Sequence, residues 1–170
     1  MPEPKPGRWF FDTVTLSNFA LAGRLDLLIS RYGCRAHVTA EVLDEVTDGV
    51  AAGHAALSSI EAAVAADRFT SAKPLSSKER ETYRDLLRIL SPGEAACIAC
   101  AKTRGGTVVT DDRTARDLCA GRGVGCTGTI GILKACVLDG MLSAAEADAV
   151  LDAMIAAGYR SPVQKISGIV

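Results

Sequence analysis

The chain has few aromatic residues and no long apolar run. No apolar stretch approaches the roughly 20 residues that a membrane-spanning helix needs. The first residues, MPEPKPGRW, lack the apolar segment of a secretory signal. We therefore expect a disordered leader on a cytoplasmic protein that does not contact membranes. Aromatic residues make up 5% of the chain against 48% hydrophobic residues, which predicts a core of small and aliphatic side chains.

An excess of charge is also missing. The chain carries 19 Lys and Arg against 20 Asp and Glu, for a formal net charge of −1. Proteins that coat nucleic acid usually carry a large basic excess. The balanced charge argues against a protein that covers nucleic acid along its length. It is compatible with an enzyme that contacts a short stretch of a nucleic-acid strand at one site.

The six cysteines do not form a recognisable disulfide or zinc pattern. They are Cys34, Cys97, Cys100, Cys119, Cys126 and Cys136. In a cytoplasmic chain of 170 residues we expect them to be reduced and mostly buried. Two of them form a CxxC within a predicted helix, and no second CxxC completes a zinc site. We interpret this pair as part of helix packing.

Strand-like and helix-like segments alternate along the chain. Residues with strand character are predicted at 8–11, 34–39, 69–70 and 107–110. Helical spacing of apolar residues predicts helices at 13–22, 25–31, 40–50, 55–66, 76–90, 91–104, 114–120, 129–137 and 143–157. The glycine-rich segment 121–128 is predicted to be a turn. Alternation of this kind is typical of an α/β fold with a central parallel sheet covered on both faces.

No repeat, low-complexity block or long linker divides this pattern. The simplest organisation is a leader with the start of the first strand at 1–9, one domain at 10–160 and a carboxyl-terminal tail at 161–170.

Acidic residues fall where a parallel sheet would gather them. Asp12 ends the first predicted strand, and Asp111 and Asp112 directly follow a later one. Glu45 lies in the helix after the second strand, and Glu94 opens the helix that leads to the strand at 107–110. Because ligands of open parallel sheets bind beyond the carboxyl ends of the strands, we expect these acids to lie near one another.

A cluster of carboxylates needs a compensating charge. Like charges repel and keep some carboxyls protonated, and a hard divalent cation such as Mg²⁺ or Mn²⁺ relieves this because it prefers oxygen ligands. Water bound to such a cation can attack a phosphate. The pattern therefore predicts hydrolysis of phosphodiester bonds.

Each acid also has a structural explanation. Glu94 occupies the third position of a helix that starts with Ser91, as in a capping box. Asp111 fits an N-cap and Asp112 a first-turn acid, Glu45 fits a solvated helix face, and Asp12 fits a turn. The four positions together favour a site more than any one of them does.

Four segments resemble, in order, the motifs of the PIN-domain family. They are FDTVTLSNF (11–19), VTAEVLDEV (38–46), LSPGEAACIA (90–99) and VVTDDRTAR (108–116). Two later segments, GTIGIL (128–133) and AGYR (157–160), are similar to PIN-related small prokaryotic proteins predicted to bind nucleic acid. The resemblance extends over most of the chain, from about Phe10 to Arg160.

The resemblance implies a three-layer α/β/α sandwich and a ribonuclease that depends on Mg²⁺ or Mn²⁺. Its catalytic acids fall on Asp12, Glu45, Glu94 and Asp112, of which Asp12, Glu94 and Asp112 would ligate metal. Asp111 is the alternative for the last ligand. VapC-type toxins belong to this family, so RNA, a small antitoxin and a second copy of the chain are the expected partners.

Three further residues are candidates for substrate binding. Arg113 and Arg116 lie one helical turn apart beside the last acid pair, where guanidinium groups could hold a phosphate. Thr13 follows the first acid. Many family members carry Ser or Thr at the next position, which is Val14 here. This departure motivates the alternative of a non-catalytic PIN-like module that binds RNA or a protein.

Overall fold

The computed structural model describes residues 7–170. Its strands are β1 (Trp9–Phe11), β2 (Ala36–Val38), β3 (Thr70–Ser71), β4 (Thr107–Val109) and β5 (Gly125–Thr127). They form a sheet in the order β3-β2-β1-β4-β5, and every pairing is parallel. The predicted disordered leader falls largely on residues 1–6, which lie outside the described residues.

Helices cover both faces of this sheet. They are α1 (Thr13–Leu21), α2 (Leu25–Tyr32), α3 (Ala40–Ala51), α4 (Ser58–Ala65), α5 (Ser77–Leu86), α6 (Pro92–Arg104), α7 (Arg113–Gly121), α8 (Thr129–Leu138) and α9 (Ala144–Ala156). The structure is a three-layer α/β/α sandwich, so the predicted fold class is confirmed. Within residues 7–170, no helix is both long and apolar enough to cross a membrane.

Helix starts follow from local sequence. Ser91 caps α6 by accepting a hydrogen bond from the backbone of Glu94, and the Glu94 side chain accepts one from the Ser91 backbone. The same reciprocal capping box opens α5 and α9. Each box satisfies backbone N–H groups that a helix start leaves without partners.

The core lies between the sheet and its helices. Phe10 and Phe11 of β1 and Val108 and Val109 of β4 are completely buried, because a central parallel strand is covered on both faces. Helix α6 is apolar almost all round, with eight buried residues from Gly93 to Ala101. It packs on β1 and β4, which places its first turn near the carboxyl ends of both strands.

Three predicted elements need correction. The glycine-rich segment is not only a turn, because residues 125–127 pair with β4 as strand β5. The predicted strand at 34–39 is too long, since Gly33–Arg35 form a 3₁₀-helix. The predicted helix at 76–90 ends at Leu86, although the chain stays coiled as turns until Leu90.

The carboxyl-terminal segment packs on α9. Asp148 accepts hydrogen bonds from the backbone of Ile166 and from the backbone and hydroxyl of Ser167. The side chain of Ile166 is fully buried. These contacts fix the path of the chain after Gly158.

Candidate active site

The strand order places the first acid beside the last pair. From β1 the chain first adds β2 and β3 on one side of the sheet, and it then returns to add β4 and β5 on the other side of β1. The direction of strand addition therefore reverses between β1 and β4. Phe11 pairs with Val109 across this junction, and the backbone N–H of Asp12 donates a 3.0 Å hydrogen bond to the Val109 carbonyl. Ligands of open α/β sheets bind at such a switch point.

Asp12 is a buried carboxylate with one free oxygen. Its side chain is 1% exposed. One oxygen, Oδ1, caps α1 by accepting a 2.8 Å hydrogen bond from the Thr15 backbone, while Oδ2 is buried without any hydrogen-bond partner. Burial raises the pKa of Asp12 to about 7, and the polar groups of Thr110 and Thr15 oppose only part of that rise. At neutral pH this carboxyl therefore holds a proton or needs a cation.

Four of the predicted acids line one cavity of about 360 Å³, a size within the range of small-ligand sites. Its walls carry Asp12, Glu94, Asp111 and Asp112, together with Val14, Asn18, Gly158, Tyr159 and Arg160. Residues separated by 100 positions thus meet at the switch point of the sheet.

Glu94 and Asp112 each have a second role in starting a helix. The Glu94 carboxylate closes the capping box of α6 through Oε2. Asp112 caps α7 by accepting a 2.7 Å hydrogen bond from Ala115 through Oδ1. Burial raises the pKa of Glu94, and the carboxylates of Asp112 and Glu45 raise it further. Each of these acids therefore starts a helix and also lines the cavity.

Glu45 lies beside the cavity rather than on its wall. Its Oε1 accepts hydrogen bonds from the Thr13 hydroxyl at 3.0 Å and from the Gly93 backbone at 3.1 Å. Glu45 therefore links α3 to the first residues of α1 and α6. The Thr13 hydroxyl donates to this carboxylate.

Asp111 is engaged by another element. It accepts hydrogen bonds from the backbone of Thr129 at 2.8 Å and from its hydroxyl at 2.5 Å. The amide of Asn18 adds a 3.3 Å contact. These contacts attach Asp111 to the start of α8 and leave Asp112 the freer member of the pair.

The acids fit a divalent cation by chemistry. Oxygen donors from Asp12, Glu94 and Asp112 face one concave space, and each carboxylate keeps one oxygen for which no hydrogen bond is recorded among the described residues. Within residues 7–170, no group of three or more His, Cys, Asp or Glu side chains is arranged to hold a metal ion. The orphaned Asp12 oxygen is the feature that a cation would satisfy.

Arg113 and Arg116 line a second depression, a groove that shares Asp111, Tyr159 and Arg160 with the acid cavity.

Sequence reasoning missed Asn18, Tyr159 and Arg160 as site residues. Asn18 belongs to the first family-like segment, at 11–19, and Tyr159 and Arg160 belong to the AGYR segment at 157–160. The resemblance of these two segments to the family could therefore have pointed to all three residues.

A comparison with protein families identifies the family of the chain. A family model described as a PIN domain matches residues 8–170. No curated protein matches the chain, and no solved structure does.

Proposed function

Because the chain belongs to the PIN-domain family, which gives it a nuclease-type fold, we propose that it hydrolyses RNA phosphodiester bonds with the help of Mg²⁺ or Mn²⁺. The observation that carries the proposal is the buried, unpartnered Oδ2 of Asp12. It shares one cavity with Glu94 and Asp112. An isolated buried carboxylate is costly unless a proton or a cation accompanies it.

Asp12, Glu94 and Asp112 would hold the cation, with Asp111 as the alternative to Asp112. When bound, Mg²⁺ or Mn²⁺ supplies Lewis acidity toward a phosphate oxygen and activates a water molecule. Both ions prefer carboxylate oxygens and retain waters, which suits a pocket that offers one free oxygen per acid.

The remaining residues shape and orient this site. Glu45 holds the start of α6 through Gly93, and thereby the position of Glu94. It also fixes the Thr13 hydroxyl, which keeps the first turn of α1 next to Asp12. Arg113 and Arg116 would neutralise phosphate charge next to the acids, since guanidinium groups bind phosphate by paired hydrogen bonds.

Cleavage of single-stranded RNA in the presence of Mn²⁺ tests the proposal. We expect the wild-type chain to cut the RNA and a chelator to stop it. Asp12→Asn keeps the helix cap, because Asn caps as well as Asp, and should lose the activity. Asp44→Asn is the matched control, because Asp44 is an exposed acid of α3 and should cut normally. Equal cleavage by the wild type and Asp12→Asn would defeat the assignment.

Val14 supports a second candidate, a non-catalytic module that binds RNA or protein. Its side chain lines the acid cavity and is 53% exposed, so an apolar group stands where many relatives carry a hydroxyl. Restoring the hydroxyl with Val14→Thr discriminates between the two. A chain that cuts RNA only after this change is a binding module, and one that cuts before it is an enzyme.

A toxin role with a small antitoxin, and a homodimer, are finer parts of the same proposal. The exposed Leu138 at the end of α8, 69% exposed, supports an apolar contact in the carboxyl-terminal third. Size-exclusion chromatography with light scattering tests the dimer, and Leu138→Asp should convert it to a monomer.

Growth arrest on expression, abolished by Asp12→Asn, would support the toxin role.

A further inference from the structure

A groove of about 540 Å³ adjoins the acid cavity and differs from it in charge. Three arginines line it: Arg113 and Arg116 from α7, and Arg160 from the segment after α9. The wall between the groove and the cavity consists of Asp111, Tyr159 and Arg160, which line both. The groove carries three arginines against two acids, Asp111 and Asp117, whereas the cavity carries four acids against one arginine. An arginine-rich depression thus continues directly from an acidic one.

No arginine of this groove forms an ion pair with another described residue. The ion pairs recorded within residues 7–170 involve Arg24, Arg31 and Arg104, so none of them includes a groove arginine. Of the two acids in the groove, Asp111 accepts hydrogen bonds from Thr129, and Asp117 forms no ion pair with these arginines within residues 7–170. The guanidinium groups therefore remain available for an anion from outside.

Arg160 has a particular position among the three. It is the one basic side chain on the wall of the acid cavity within the described residues, and it also lines the groove. An anion that spans from the acids into the groove would pass this side chain.

The backbone on both sides of Arg160 is held in place, although the Arg160 side chain is exposed. Gly158 adopts a φ of 108°, a conformation that favours glycine, and the Tyr159 backbone N–H then returns to the Met154 carbonyl at 3.0 Å. The contacts of Asp148 with the backbone of Ile166 and Ser167 hold the following segment against α9. The turn and this anchor together fix the path of the backbone around Arg160.

Arg116 is placed by a close approach of the backbone. A Cβ on Gly128 would collide with Asp111 and lie 3.0 Å from the Arg116 Nη1. The same nitrogen lies 3.4 Å from the Thr110 carbonyl at the end of β4. The absence of a side chain at 128 therefore lets the guanidinium lie against the backbone at the groove wall, which reduces the ordering needed to bind a ligand.

We propose that this groove holds the backbone phosphates of a single RNA strand next to the phosphate that is cut, with Arg160 at the junction and Arg116 and Arg113 further along. The inference rests on the proposed ribonuclease function and names the path of its substrate. A single strand is favoured because Asp12 is buried at the cavity floor, and a flexible strand can lower a phosphate into a concavity that the surface of a duplex cannot enter.

Binding of a fluorescent single-stranded RNA, measured by anisotropy across a range of salt concentrations, tests this path without cleavage. All variants carry Asp12→Asn, so that the RNA stays intact, and no divalent ion is added. Arg160→Gln and Arg116→Gln are compared with Arg88→Gln, because Arg88 is an exposed arginine outside the groove and the cavity. Thermal melts check that each variant is folded, as expected for exposed side chains.

We expect each groove change to weaken binding on the order of tenfold, the size of one lost charged hydrogen bond. Each should also reduce the magnitude of the negative slope of log K against log salt concentration by about 0.7, the value for one phosphate contact on a single strand. Arg88→Gln should change neither. If folded Arg160→Gln and Arg116→Gln bind as tightly as Arg88→Gln with the same slope, the groove is not the path. Because this readout needs no cleavage, a catalytically inactive wild type would refute the ribonuclease proposal and not the binding result.

Discussion

The Oε1 atom of Glu45 accepts a 3.1 Å hydrogen bond from the backbone N–H of Gly93, so an acid of α3 holds the first turn of α6. The contact requires glycine at position 93, because an added Cβ would overlap Oε1 of Glu45. Glu94, the next residue, lies on the cavity wall. The packing of two helices is therefore coupled to the position of a candidate metal ligand.

Gly93→Ala should disturb this coupling. Overpacking at a buried contact costs roughly 1–3 kcal/mol, and displacing Glu45 should reduce RNA cleavage in parallel. Chemical denaturation and cleavage rates measure the two effects. Gly121→Ala is the control, since a Cβ there meets nothing within 4 Å, and Ala in a compatible helical position stabilises by about 0.4–1 kcal/mol. A Gly93→Ala chain with wild-type stability and activity would show that the Glu45 contact has no such role.

The burial of Asp12 predicts how stability depends on pH in the metal-free chain. Folding raises the pKa of Asp12 from 3.8 to about 7, so the folded state binds this proton more tightly than the unfolded state. The contribution of Asp12 to stability therefore falls as the pH rises from about 4 and levels off above about 7.

Asp12→Asn should remove that loss while keeping the helix cap. The stability of the variant relative to the wild type should increase by roughly 2.5–3 kcal/mol between about pH 5 and about pH 8, since about two pKa units of the shift fall in this range and one unit corresponds to about 1.4 kcal/mol. Urea unfolding in the presence of a chelator measures the free energy of unfolding at both pH values. A difference between the two proteins that does not change with pH would mean that Asp12 is ionised without cost in the fold.

Asp111 and Asp112 should have opposite roles. Asp111→Ala leaves the backbone N–H and the buried hydroxyl of Thr129 without their acceptor, which should cost roughly 2–4 kcal/mol. Asp112→Asn keeps the cap of α7 at a cost below about 1 kcal/mol, yet it should abolish cleavage.

Unfolding free energies and cleavage rates of these two variants, measured side by side, decide which acid acts on the substrate. An Asp112→Asn chain with full activity, alongside an Asp111→Ala chain that is stable but inactive, would assign the ligand role to Asp111.

Local sequence signals were sufficient for much of the fold. The Ser91-Pro92-Gly93-Glu94 signature predicts the start of α6, and the glycine after Arg104 marks its end, as observed. Both signals act within one helical turn. The alternation of strands and helices likewise predicts the parallel sheet.

What the sequence could not predict depends on long-range contacts. Strand β5 has three residues in a glycine-rich segment, and only its pairing with β4 makes it a strand. Arg160 lines the cavity, and the segment after it is anchored on α9 by Asp148, a contact that no local pattern encodes. The clustering of Asp12, Glu94, Asp111 and Asp112 in one cavity could be predicted, since each follows a strand or lies at a helix start. The different contacts of Asp111 and Asp112 could not, because they depend on Thr129.

Calorimetric titration of the full chain with Mn²⁺ at about pH 7.5 tests the central claim most directly. If the carboxylates of Asp12, Glu94 and Asp112 form a cation site, the wild type should bind Mn²⁺ and Asp12→Asn should bind at least about tenfold more weakly, as expected when one charged ligand is lost. Asp44→Asn should bind as the wild type does. Absence of binding by the folded wild type at millimolar Mn²⁺, or equal affinity of the wild type and Asp12→Asn, would contradict the account.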